Sequence, residues 1–220
     1  MAKTQPSLEV FQELYLRHPG GQDAVRAAVL ANLDNGWIHA PKREDRSQLS
    51  PRQDLLALER VEAPGIPGVT LWMFSAEDGS YKVSNIVPLK SGELGVSGYN
   101  AALNHFLQSV VEPACESEPL TAEVTGASMS IDDWAGEPSA KALKSFSALA
   151  NKSTGRSHPM DEKRWLLFLL EAHRAKSMLG SDQLARWLIE AERWPLEIAY
   201  ELASEYDLSR TLLNLYDKQR

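Results

Sequence analysis

The densest group of reactive side chains falls in one stretch, Asn151-Lys152-Ser153-Thr154-Gly155-Arg156-Ser157-His158-Pro159. Two cations, several hydroxyls and an imidazole precede a helix start, where the N–H groups of the first turn have no intrahelical partner. Such a terminus suits an anionic group, phosphate or carboxylate. Lys152, Ser153, Thr154, Arg156 and His158 are therefore candidate anion ligands. His158 is the candidate acid–base group if the chain is an enzyme or small-molecule binder, imidazole being the side chain most often used for proton transfer. The plainer reading of the same residues has Ser157 or His158 capping the helix, Pro159 in its first turn and Asp161 complementing the dipole. Asp161 and Arg164 are then an ordinary i,i+3 pair.

A second pattern is Glu197, Glu201 and Glu205, three carboxylates four residues apart on one helical face. Like charges at this spacing cost an isolated helix about 0.2–0.5 kcal/mol per pair. A stripe kept against that cost suits a basic protein partner, the alternative being a solvated face. The chain carries 23 Lys and Arg against 30 Asp and Glu, and residues 111–220 hold 13 of the basic and 18 of the acidic ones. That sign repels nucleic-acid backbones and leaves a basic protein as the electrostatic partner. The favoured functional reading is an interaction factor, immunity- or antitoxin-like, that occludes a basic surface with an acidic helical face.

Other chemistry is sparse. The five histidines (His18, His39, His105, His158, His173) include no H-E-x-x-H pair, and the single cysteine, Cys115, cannot build a thiolate site, so no structural zinc is expected. No G-x-G-x-x-G, P-loop or G-x-S-x-G is present, and no cofactor is expected. Asp132-Asp133 is a carboxylate pair better suited to capping a helix than to acid–base work, and His173 reads as a helix-edge residue. A lone cysteine, no apolar stretch after Lys3, and a longest apolar run of six residues, Trp165 to Leu170, point to a cytoplasmic chain that spans no membrane.

These residues need elements to hold them. Leu8, Phe11, Leu14 and Tyr15 have helical spacing after Ser7, and a second helix is expected over 22–32, stopped by Asn35-Gly36. Residues 41–46 read as a surface loop. Ser50-Pro51-Arg52-Gln53 has the form of a cap for a short helix ending near Arg60. Val69–Ser75 and Tyr81–Val87, rich in β-branched and aromatic residues around Glu77-Asp78-Gly79-Ser80, predict an antiparallel hairpin. In its second strand Tyr81, Val83, Asn85 and Val87 should share one face.

Ser97 opens a helix that should stop before Pro113, and a short strand is expected at Leu120–Val124. Helices follow over 140–149, 159–179, 181–193 and 195–216. Trp165, Phe168, Leu169, Leu184, Trp187, Leu188, Ala191 and Trp194 fall on a stripe spaced for core packing, and Ile198, Leu202, Tyr206, Leu212, Leu213 and Tyr216 continue it. The fold class is α+β, mostly helical, with a small antiparallel sheet near 69–87 and an all-helical C-terminal subdomain. The seam is placed at residue 130, between an α+β part (1–130) and a helical part (131–220), the alternative being one compact domain with a long internal loop.

Asn85-Ile86-Val87-Pro88, Tyr99-Asn100, and the run from Ala150 to His158 leading through Asp161, Arg164-Trp165 and Ala172-His173-Arg174 resemble a group of bacterial proteins with an N-K-S-T-G-x-S-H-P loop and no established activity. The resemblance covers residues 81 to 216. It implies a bacterial cytoplasmic protein in which the 151–158 loop recurs, and it carries over no catalytic residue.

Overall fold

Val69–Ser75 and Tyr81–Pro88 form the expected hairpin, inside a wider sheet. The computed structural model describes residues 6–34, 36–44, 55–76 and 78–219. In chain order the first elements are β1 (Ser7–Glu9), β2 (Leu14–Arg17), α1 (Gln22–Ala31), β3 (Trp37–His39), α2 (Pro41–Glu44), β4 (Leu55–Arg60), β5 (Val69–Ser75) and β6 (Tyr81–Pro88). Then come α3 (Gly95–Phe106), a π-helical turn (Leu107–Val111), α4 (Glu112–Ser117), β7 (Thr121–Val124) and β8 (Ser128–Ser130). The remainder is helical: α5 (Ile131–Ala135), α6 (Glu137–Leu149), α7 (Pro159–Arg174), α8 (Ser181–Arg186) with a second π turn (Trp187–Ala191), and α9 (Leu196–Lys218). Helix accounts for 52% and strand for 20%, so the fold is α+β and mostly helical.

The chain divides into two compact units, residues 9–127 and residues 1–8 with 128–220. The first holds an antiparallel sheet in the order β3-β4-β5-β6-β2-β7. Leu14, Leu16, Leu56, Leu58, Leu71 and Val83 from its strands share a core with Val25 and Val29 of α1 and Leu103 and Phe106 of α3. The second unit pairs β1 with β8 and packs its helices around Phe146, Trp165, Phe168, Trp187 and Tyr206. The tryptophan stripe is core: Trp165 and Trp187 are fully buried and Trp194 is 3% exposed.

Two expected helices are strands. Leu8, Phe11, Leu14 and Tyr15 share helical spacing by accident: Leu8 serves the core of the helical unit, whereas Leu14 and Leu16 serve the sheet core with period two. The Ser50–Gln53 cap lies outside the described residues, as do Asn35 of the expected helix stop and Glu77 of the expected turn. The run after that cap, Leu55-Leu56-Ala57-Leu58, has strong helix propensity, but it is β4, paired between β3 and β5 and buried on both faces. Tertiary pairing overrides propensity there. Residues Pro41–Glu44 make a helical turn rather than a loop.

The helix after Ser97 does not stop before Pro113. The backbone widens into the π turn and continues as α4, so Pro113, which has no N–H to give an upstream carbonyl, sits where the ladder changes from i+5 back to i+4 spacing. In β6 the alternation fails at a bulge opposite Trp72/Met73: Trp72 pairs with Asn85 and Met73 with Val83, leaving Ser84 extra. Tyr81, Val83 and Ile86 are buried, and the neighbours Ser84 and Asn85 are both exposed.

Candidate functional site

The 151–158 loop is built into the helical unit by its own charges. Lys152 donates to the Glu192 carbonyl, lies 3.8 Å from the Glu192 carboxylate and sits over the Trp194 ring at 5.9 Å. Arg156 pairs with Glu205 through Nε and with Glu162 through Nη1 at 2.9 Å. The Ser153 N–H and hydroxyl both donate to Asn151 Oδ1, and the Thr154 N–H donates to the Asn151 carbonyl. Gly155 has φ +62°, and a Cβ there would lie 3.2 Å from Ile198 of α9, so glycine is required by backbone and neighbour alike.

His158 is the N-cap of α7: its Nδ1 accepts the Met160 N–H at 3.2 Å. The cations expected to ring an anion therefore neutralise Glu192, Glu205 and Glu162, and the imidazole completes a helix end. The partners responsible come from 40 and 49 residues downstream as well as six, which is why spacing within the loop did not reveal them.

The same contact divides the acidic stripe. Glu205 belongs to Arg156, while Glu197 and Glu201 are exposed and make no ion pair among the described residues. The unit as a whole is charge-balanced: residues 1–8 and 128–220 hold fourteen Lys and Arg and fourteen Asp and Glu, against nine and sixteen in residues 9–127. All of the net −7 thus belongs to the sheet unit.

What distinguishes the helices is apolar. On α9, Ala199, Leu202, Ala203 and Tyr206 face the core, while Leu208, Leu212 and Leu215 recur at i, i+4, i+7 on the opposite side. On α7, Trp165, Phe168, Leu169 and Ala172 face inward, and Leu166, Leu167 and Leu170 face out. These six outward leucines are 42–69% exposed. The two helices are neighbours, with the Phe168 and Tyr206 rings stacked at 5.5 Å. Leu196 and Tyr200, also exposed, flank Glu197 and Glu201.

Asp133 closes a capping box with Ser130 at the start of α5, and Asp132 pairs with Lys144. His173 Nε2 meets Asp217 at 2.8 Å across α7 and α9. Among the described residues no three His, Cys, Asp or Glu gather to hold a metal ion, and no helix is long and apolar enough to cross a membrane.

The sheet unit contains a cleft of about 670 Å³ that sequence reasoning missed. It opens where β2 and β6 part. Their ladder ends at Leu14 against Val83, whereas β6 stays paired with β5 as far as Pro88. Upstream of Leu14 the chain is pulled aside: the Gln12 N–H donates to Asn100 Oδ1 at 2.9 Å, and Asn100 Nδ2 donates to the Val10 carbonyl. Glu13 donates its N–H to Thr125 Oγ1. Ser84 and Asn85, turned outward by the bulge, line one wall, with Phe11 and Glu13 on the other and Tyr99 and Glu93 nearby.

The Lys82 ammonium, 2.7 Å from the Glu13 carboxylate, holds its pKa below the usual value, helped by the Tyr15 hydroxyl. Burial raises the pKa of Tyr99, a residue 8% exposed whose hydroxyl has no hydrogen-bond partner among the described residues. The one visible signal of this site was Asn100, a polar residue inside an otherwise apolar helical stripe.

No protein-family model, curated protein or solved structure matches the chain, so each functional assignment stands on the geometry of its own residues.

Proposed function

We propose that the chain is a protein–protein interaction factor that docks its partner on the outward leucine faces of α7 and α9. One observation carries this reading: two adjacent helices bury one apolar side and present a second one to solvent. A surface helix ordinarily turns charged or polar residues outward, and several large apolar side chains turned outward on one helix mark an interaction site.

The magnitudes set the partner's chemistry. Covering a leucine completely is worth about 1.5–3 kcal/mol, so six half-exposed leucines supply roughly 5–9 kcal/mol. Association costs roughly 4–15 kcal/mol, so these leucines alone give a weak complex. Tyr200 and Leu196, with the unpaired Glu197 and Glu201 beside them, supply the remainder if the partner has an apolar centre and a basic rim. The acidic residues thus select the partner and the leucines hold it, by occlusion of its surface rather than by chemistry.

Affinity capture with the full chain, the Leu208→Glu/Leu212→Glu variant and the Glu197→Lys/Glu201→Lys variant tests this. A specific partner should be retained by the parent chain, lost with the leucine variant, and weakened by salt and by the charge reversal. Capture unchanged by the leucine variant contradicts the proposal. A concentration-dependent dimer of the parent chain alone would reassign the face to self-association.

A further inference from the structure

We propose that the open edge of β6, over Ser84–Pro88 in the sheet unit, accepts an extended basic peptide as an added strand. The proposal is independent of the leucine faces, which belong to the other unit. Backbone N–H and C=O groups of a strand alternate between its two sides. On one side β6 is paired with β5 to Pro88, but on the other its pairing with β2 ends at Val83. The backbone groups of residues 84–88 that point away from β5 therefore border the cleft without a strand partner among the described residues.

At about 3.3 Å per residue this open edge is roughly 17 Å long, the length of a typical strand. The gap is held open by construction, because Asn100 and Thr125 bind the backbone of residues 10–13 and keep it from continuing the ladder.

The side chains around the gap define the peptide. Ser84 makes only a 3.4 Å contact to the Trp72 carbonyl, and Asn85 is exposed beside it. Tyr99, a residue 8% exposed whose hydroxyl has no hydrogen-bond partner among the described residues, lines the cleft and leaves a polar group for a bound chain to meet. Phe11, 55% exposed and edge-on to Tyr99 at 5.0 Å, offers an aromatic surface to an aliphatic stem or a cation. Glu93 is exposed without an ion-pair partner among the described residues, and the unit around it carries the whole net charge of −7. Main-chain pairing supplies affinity in strand addition, and flanking charge selects the sequence. An alternating peptide with Lys or Arg fits this edge.

The test is fluorescence anisotropy of the full chain with a labelled Lys-Val-Arg-Val-Lys peptide, its Glu-Val-Glu-Val-Glu counterpart, and versions of the basic peptide N-methylated at alternate residues. Saturable binding of the basic peptide is expected, on the order of 1–100 µM. Glu93→Lys should weaken it about tenfold. N-methylation in one alternation should abolish binding and in the other leave it nearly unchanged, because only one set of peptide N–H groups faces β6. Equal binding of both N-methylated forms, equal binding of the acidic peptide, or no binding at millimolar concentration would overturn the proposal.

Discussion

The two units meet water in opposite ways. The sheet unit carries sixteen acidic and nine basic residues, and only four of its large apolar side chains are exposed among the described residues. The helical unit is charge-neutral, yet it exposes twelve large apolar side chains, six of them on the outer faces of α7 and α9. Charge keeps one unit apart from other surfaces and can steer a ligand to it. Exposed leucine invites contact. Counted over halves of the sequence the excess of acid falls mainly after residue 110, whereas counted by folded unit it lies in the sheet unit.

The largest expected effect separates inward from outward side chains of one helix. Trp165→Ala, at a fully buried position of α7, should cost about 3–5 kcal/mol in urea denaturation. The outward Leu166→Ala should lie within about 0.5 kcal/mol of the parent. Comparable losses at both positions would mean that the outer face is not free and would break the contrast.

A second effect should be confined to the sheet unit. Burial and the neighbouring Arg60 guanidinium push the His105 imidazole below its ordinary 6.5, while Trp37 Nε1 donates to its Nδ1 at 3.1 Å. A histidine held neutral in the fold contributes stability above pH 6.5 and loses it as pH falls below that value. Glu13 and Glu44 lie below their ordinary 4.5, Glu13 through Lys82 and Tyr15. For Glu44 burial opposes the shift, but bonds from the Ala57 N–H, His39 and Arg26 outweigh it. Their contribution is present above pH 4.5 and disappears on acidification through the lowered values. Hydrogen-exchange protection in β4–β6, taken relative to the intrinsic exchange rate at each pH, should therefore fall as pH drops below 6.5 and again below 4.5. Rates that follow only the intrinsic chemistry of exchange would contradict this.

A smaller effect is expected in the 151–158 loop. Arg156→Ala removes a partly exposed ion pair with Glu205 and another with Glu162, and should cost about 1 kcal/mol in the same denaturation experiment. Inorganic phosphate should not shift the midpoint of the parent chain through this loop, since Lys152 and Arg156 are already engaged. A phosphate-dependent increase abolished by Arg156→Ala would restore the anion-site reading.

What the sequence disclosed follows from the range of the interactions involved. The β5–β6 hairpin and the C-terminal helices are set by local patterns, β-branched runs in one case and apolar stripes in the other, and both were legible. β4 was not, because a continuous apolar run reads alike as a buried strand or helix. The destination of Lys152 and Arg156 was hidden by their distance in sequence from Glu192 and Glu205. The β6 cleft was hidden twice, by a bulge at Ser84 that inverts the alternation and by the Asn100 contacts that divert residues 10–13. The core side of α7, and of α9 as far as Tyr206, was legible from the apolar stripe, but the stripe also counted Leu212 and Tyr216 as core, and both are exposed because the last turns of α9 run past the core cluster.

The most direct measurement of the docking claim places a photo-crosslinking benzophenone side chain at Leu212 or Leu167 of the helical unit and, separately, at Ile38 of the sheet unit, each an exposed apolar position. Irradiation in the native cell should yield one adduct of defined mass from Leu212 and Leu167 and none of that mass from Ile38. The same adduct from all three positions, or none from the two leucine positions, would contradict a partner seated on α7 and α9.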